Sequence, residues 1–123
     1  MVREALSLAL RNAFAGAAVI PSGSYEETAA AIAQHPETDL VILDLDMPGM
    51  QGLAGVAALR AAYPAAPLVI VSATRNPAAM RQAVEMGAAG FIPKSAPMEQ
   101  IVASVRAVMQ GEVILPPTAG DGV

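Results

Sequence analysis

The stretch Val41-Ile42-Leu43-Asp44-Leu45-Asp46-Met47-Pro48-Gly49-Met50-Gln51-Gly52 narrows the possible folds more than any other part of the chain. A continuous apolar run with β-branched members reads as a strand buried on both faces, and it stops at a carboxylate followed by a Pro-Gly turn. Asp44 therefore closes a strand. In open parallel α/β sheets, ligands and chemistry gather in the crevice outside the carboxyl ends of the strands, so an acidic residue there carries more meaning than one on a helix surface. An isolated Asp ending a strand is common, and the weight of the reading depends on what else reaches the same edge.

Two further strands end the same way. Leu68-Val69-Ile70-Val71 is apolar on both faces and closes on Ser72, and Gly90-Phe91-Ile92-Pro93 closes on Lys94. Between and around them lie helical patterns. Residues 2–14 carry Leu6, Leu10, Ala13 and Phe14 on one face. Ser24-Tyr25-Glu26-Glu27 has the pattern of a capping box and opens a helix to about Gln34, with Tyr25, Ala29, Ile32 and Ala33 inward. An amphipathic segment runs from Gly52 to about Tyr63. Asn76-Pro77 caps a helix carrying Met80 and Val84 that stops at Gly87, and Pro97 starts one with Ile101, Val105, Val108 and Met109 inward. Ala17–Ile20 reads as one more short strand. Alternating strands and helices predict a doubly wound parallel sheet with right-handed crossovers and helices on both faces.

With 123 residues, the chain has room for one core and not for two. Its 54% apolar and 15% charged residues exclude a disordered chain. No apolar run approaches a bilayer-spanning length, which predicts no membrane contact and a cytoplasmic location. The absence of cysteine removes thiolate metal sites and thiol nucleophiles. A net charge of −4 lacks the basic footprint of a nucleic-acid binder, so direct contact with nucleic acid is not expected.

Parallel strands bring Asp44, Ser72 and Lys94 to one edge. There a carboxylate can act as nucleophile, a hydroxyl can bond a transferred oxygen, and an ammonium can offset its charge. Those roles describe phosphoryl transfer to an aspartate, which depends on positioning and charge neutralisation, usually with a divalent metal. The plainer account makes each residue an ordinary strand end, but three in register favour the chemical one.

On these residues the chain resembles the receiver domain of two-component response regulators of the NarL/LuxR type. The matching segments are Arg3-Glu4-Ala5-Leu6, Val41 to Gly52, Val69-Ile70-Val71-Ser72-Ala73, Gly87-Ala88-Ala89-Gly90-Phe91-Ile92-Pro93-Lys94 and Leu115-Pro116-Pro117. The resemblance implies Asp44 as phosphoacceptor, with a sensor histidine kinase or a small acyl phosphate as donor. It implies Mg²⁺ near Asp44 and the backbone carbonyl of Asp46, Ser72 and Lys94 on the phosphoryl oxygens, and Phe91 as an aromatic that changes rotamer with the switch. It also implies a C-terminal helix-turn-helix output domain beyond this chain, with residues 1–115 as the receiver and 116–123 as linker.

Receiver domains begin with a strand ending in an acidic pair that holds the metal, whereas Met1-Val2-Arg3-Glu4 aligns with the start of the first helix. The resemblance implies a flavodoxin-like fold in which that first strand is central, between Ala17–Ile20 and Leu40–Leu43, so the expectation is a receiver truncated at its N-terminus, with a weak Mg²⁺ site and two apolar strand edges left open. Such edges predict a homodimer or a swap, and Val113-Ile114-Leu115 is a candidate to fill the vacant slot. Two other functions stay in view. One is a degenerate receiver acting as a phosphorylation-independent binding or dimerisation module. The other is a haloacid-dehalogenase-like phosphatase, suggested by Asp44-Leu45-Asp46 and opposed by Met47-Pro48-Gly49. His35, between a helix end and Pro36, reads as a solvated loop histidine.

Overall fold

The computed structural model describes residues 2–14, 18, 20, 24–46, 53–63, 66–73 and 76–114. The elements run α1 (Val2–Ala13), α2 (Tyr25–Gln34), β1 (Val41–Asp44), α3 (Leu53–Ala62), β2 (Leu68–Ser72), α4 (Pro77–Glu85), β3 (Gly90–Pro93) and α5 (Met98–Met109). The expected turn after Asp46 and the tail from Leu115 onward lie outside the described residues, as do Ala17 and Val19 of the expected Ala17–Ile20 strand. Ala18 and Ile20, which flank Val19, are exposed and belong to no strand.

Among the described residues the sheet has three parallel strands in the order β1-β2-β3. Asp44 lies opposite Val71, and Ser72 lies opposite Pro93, so the three strands end within one residue of one another. Successive side chains of a strand point to opposite faces, and the two faces build two cores. Val41, Leu43, Leu68, Ile70 and Phe91 pack under α2, α3 and α4, against Ile32, Val56, Leu59, Met80 and Ala83. Val69, Val71 and Ile92 pack under α1 and α5, against Leu6, Leu10, Ile101, Val105 and Val108. Having α3 and α4 on one face is what right-handed crossovers advancing in one direction produce. The doubly wound parallel class is therefore the observed one. Each fully buried aliphatic side chain of this kind contributes about 1.5–3 kcal/mol of transfer free energy.

Local chemistry sets the helix ends. The Ser24 hydroxyl accepts from the Glu27 N–H at 3.1 Å, and the Asn76 side chain accepts from the Ala78 N–H at 3.0 Å with Pro77 in the first turn of α4. Gly87 ends α4 at φ +107, and a Cβ there would sit 2.9 Å from Arg60 Cγ. Arg106 stacks 5.0 Å from the Phe14 ring centroid and ties α5 to α1.

Three details differ from the sequence pattern. Ala33 is exposed, and Thr28 is buried in its place, its hydroxyl donating to the Ser24 carbonyl at 2.9 Å. A threonine whose only polar group is satisfied within its own helix can face inward. Met109 is 47% exposed, because the inward stripe of α5 ends at Val108 one residue earlier. The third difference concerns the segment after α5. Ile114 does not fill a slot beside β1 but pairs with the outer edge of β3: the Phe91 N–H donates to the Ile114 carbonyl at 3.0 Å and the Ile114 N–H to the Ala89 carbonyl at 2.9 Å. The reason is reach, since α5 returns the chain beside β3, and a slot on the far side of β1 is four strand spacings away, roughly 19 Å. Gly90 permits the close approach, its missing Cβ facing Val108 Cγ2 at 3.3 Å and the Ile114 carbonyl at 3.5 Å.

Candidate functional site

The carboxyl edge of the sheet gathers polar side chains from all three strand ends. Asp44 is the last residue of β1 and Ser72 the last of β2, while Lys94 follows β3 directly. The Lys94 N–H donates to the Ser72 carbonyl at 2.8 Å, which continues the ladder one step past β3 and fixes where the lysine side chain leaves the backbone. Its ammonium then lies 3.0 Å from Asp44 Oδ2.

A second carboxylate completes the cluster. Just past β1 the chain turns, and the Asp46 N–H donates to Asp44 Oδ1 at 2.8 Å, a local side-chain-to-backbone bond of the kind that shapes Asx turns. That turn carries Asp46 back over the edge. Its Oδ2 lies 3.2 Å from Lys94 Nζ and accepts from the Ala73 N–H at 3.0 Å. The buried Ser72 side chain lies near enough to help hold the Asp46 carboxyl in its charged form.

The electrostatics follow from these contacts. The Ala73 N–H, with Lys94 and Ser72, holds the Asp46 carboxyl below its ordinary pKa, against the opposing effect of burial. Burial acts against the charge of Lys94, and the hydrogen bonds it donates to Asp44 and Asp46, with their negative charge, outweigh it, so the lysine pKa is raised. The cluster is half open to water, with side chains 28% (Lys94), 39% (Asp44) and 45% (Asp46) exposed.

Of the residues expected to act together, Asp44 and Lys94 meet directly, and Ser72 is tied to Lys94 through its backbone carbonyl. Phe91 lies below this edge, 1% exposed in the core with Leu43, Ile70 and Met80. His35 is half exposed at the end of α2, its Nδ1 3.3 Å from Glu37 Oε1, as a loop histidine should be. The sequence reading weighed the Asp46 side chain only as a weak metal ligand or as half of a D-x-D motif, and foresaw neither its contact with Lys94 nor its bond from the Ala73 N–H. The D-x-D spacing was the available signal, because two carboxylates flanking a tight turn can share one cation.

The donor set does not by itself fit a hard divalent cation, which takes about six oxygen ligands. Asp44 and Asp46 supply two carboxylates, both already turned onto Lys94, and the described residues contain no group of three or more His, Cys, Asp or Glu placed to hold a metal. Among the described residues, no helix is long and apolar enough to cross a membrane.

Comparison with known proteins agrees with this geometry. The family model of the response regulator receiver domain matches residues 1–106. The glycerol metabolism activator of Pseudomonas putida is 38% identical over 117 residues, covering 95% of this chain and 53% of the relative. The transcriptional activator protein ExaE of the same organism is 32% identical over 115 residues, covering 94% of this chain and 53% of the relative. Among solved structures, a LuxR family DNA-binding response regulator from Silicibacter pomeroyi superposes with a TM-score of 0.80 at 29% identity, over 95% of this chain and 89% of that one. The chain spans about half the length of the curated relatives it matches.

Proposed function

The chain belongs to the response regulator receiver domain family, and on that premise we propose that Asp44 is its phosphoacceptor. The family is one of signalling domains rather than classical enzymes, and its members generally bind Mg²⁺ for phosphorylation. The observation that carries the proposal is the 3.0 Å contact between Asp44 Oδ2 and Lys94 Nζ at the carboxyl edge of a parallel sheet. A carboxylate held in place by one cation is a positioned nucleophile.

In the proposed reaction an Asp44 oxygen attacks the phosphorus of a phosphohistidine on a sensor kinase, or of a small acyl phosphate. An O–P bond forms as the donor's N–P or O–P bond breaks, and the leaving imidazole or carboxylate takes away the electron pair. Lys94 offsets charge on the transferred group, and the Ser72 hydroxyl and Ala73 N–H are the nearby donors for its oxygens. The modified side chain exchanges one negative charge for about −1.5 to −2. That charge draws on the loop leading from Ser72 into α4, with Phe91 as the buried aromatic whose rotamer follows.

The remaining readings rest on the family and the relatives. Residues 1–115 form the receiver and 116–123 a linker to a C-terminal helix-turn-helix output domain, so that a cytoplasmic transcription regulator is switched by its kinase. The receiver pairs as a homodimer and does not itself touch nucleic acid or membrane. Mg²⁺ beside Asp44 and the Asp46 carbonyl needs oxygen ligands beyond those described. The same shortage favours a second reading, a degenerate receiver that binds or dimerises without phosphorylation.

Incubation with acetyl phosphate and Mg²⁺ distinguishes them. The proposal expects one hydroxylamine-labile phosphoryl group per chain, abolished by Asp44→Asn. Labelling that persists in that variant, or repeated turnover of a phosphatase substrate, would overturn it. Normal folding with no labelling by acetyl phosphate or by a phosphorylated kinase gives the case to the second reading.

A further inference from the structure

The Asp46 side chain occupies a position that its backbone role does not explain. One carboxylate oxygen collects two donors from different elements, the ammonium of Lys94 at 3.2 Å and the N–H of Ala73 at 3.0 Å, and the buried Ser72 side chain lies beside them. A cation and a backbone amide converging on one point, with a hydroxyl close by, form a site for a tetrahedral oxyanion. The geometry points to Asp46 as a tethered placeholder: its carboxylate fills the oxyanion site that a phosphoryl group would use, and it must leave before that group can be bound. This deepens the proposed function, because it concerns what stands in the way of the phosphoryl group at Asp44.

Three physical points support it. The Asx-type bond from the Asp46 N–H to Asp44 Oδ1 fixes the turn, so the Asp46 side chain is delivered to the site without ordering any additional chain. A group held on a short tether competes at an effective concentration of about a millimolar or more, which a free anion has to exceed. The placeholder also has somewhere to go, since its side chain is 45% exposed and can swing into water.

The departure has a structural consequence. Asp46 Oδ2 on the Ala73 N–H ties the loop after β1 to the loop after β2, which continues to the Asn76 cap of α4. A phosphoryl group that takes over Ala73, Ser72 and Lys94 breaks this tie and forms its own. Asp46 is thus a positioning residue that links occupancy of the site to the loop before α4, and its charge resists arrival of the phosphoryl group.

The experiment uses inorganic phosphate, which has no leaving group to transfer, so binding is read apart from chemistry. The Ala73 amide resonance is followed during phosphate titration of the wild-type chain, Asp46→Ala and Asp46→Asn. Asp46→Ala should bind phosphate at least about tenfold more tightly than wild type, with a saturable Ala73 shift, because the tethered competitor is gone. Asp46→Asn keeps an acceptor for Ala73 but not the charge, and should fall between the two. A brace with no placeholder role predicts something else: Asp46→Ala lowers the melting temperature and gains no phosphate affinity, and that result overturns the inference. Should Asp46→Ala fail to fold, Asp46→Asn decides, and an affinity equal to wild type overturns the inference. Acetyl phosphate labelling of the same proteins separates the two proposals. A gain in phosphate affinity without labelling in any variant sinks the phosphoacceptor and leaves the placeholder, and labelling with unchanged phosphate affinity does the reverse.

Discussion

Strand β2 passes through two environments within five residues. From Leu68 to Val71 every side chain is 3% exposed or less, alternately facing the α3/α4 layer and the α1/α5 layer, and none carries a polar group. At Ser72 the strand reaches the rim, where Asp44, Asp46 and Lys94 are each more than a quarter exposed and hold one another by charge. The two regions respond differently to change. In a close-packed interior a lost methyl group leaves a void that neighbours fill only in part, so the frame keeps its shape. At a wet rim an ion pair contributes little net free energy, so partners can be exchanged cheaply. A rigid frame holding exchangeable charges is what a switch with one covalent input requires.

The contrast is broken most severely in the frame. Ile70→Ala should cost about 3 kcal/mol by denaturant titration, since Ile70 is fully buried at the centre of the sheet. A loss below about 1 kcal/mol would mean that the core around it collapses freely and that the frame is not rigid. Lys94→Met tests the other side. It should reduce acetyl phosphate labelling on the order of 100-fold, as removal of a charge-stabilising donor does elsewhere. Stability should change by less than about 1 kcal/mol because the pair is half exposed. Labelling near the wild-type rate would take the chemistry away from the rim. Asn76→Ala lies between the regions, at the start of α4. Losing its bond to the Ala78 N–H should lower stability by about 1 kcal/mol while leaving labelling within about twofold.

The same contrast explains what could be read from the amino-acid sequence. The frame was legible because burial on both faces leaves an unmistakable record: β2 and β3 stand where their apolar runs place them, and Ser24, Asn76 and Gly87 act at the helix ends as their types predict. Asp44, Ser72 and Lys94 were legible as strand ends for the same reason. Asp46 was not, because a side chain on a turn is aimed by one local hydrogen bond, and a spacing of two does not say whether the carboxylate faces solvent or folds back. Ile114 was misplaced for a related reason. An apolar triplet after a helix says that a strand edge is wanted, and only the return direction of α5 says which edge is within reach.

The smallest predicted effect is also confined to the rim, and it concerns pH. The Asp46 carboxyl is held below its ordinary value of 3.8, so it adds stability above that value and loses it as pH falls through the lowered one. Lys94 is raised above its ordinary 10.5, so its share is full below that value and disappears as pH climbs past it. Between these limits the cluster contributes a constant amount, and at this exposure screening holds it to a few tenths of a kcal/mol, about the lower end for exposed ion pairs. Thermal melts of the wild-type chain and of Asp46→Asn isolate the carboxyl. The stability difference between them should be constant across neutral pH and shrink below about pH 4, where the unfolded chain's Asp46 gains its proton before the folded one does. High ionic strength should reduce the part that comes from Lys94 more than the part from the Ala73 N–H, because salt screens the ion pair and not the amide bond. A difference that persists unchanged down to about pH 2.5 would mean that the Asp46 carboxylate is not held by Ala73 and Lys94 in the folded chain, and the contrast between frame and rim would lose its best-defined contact.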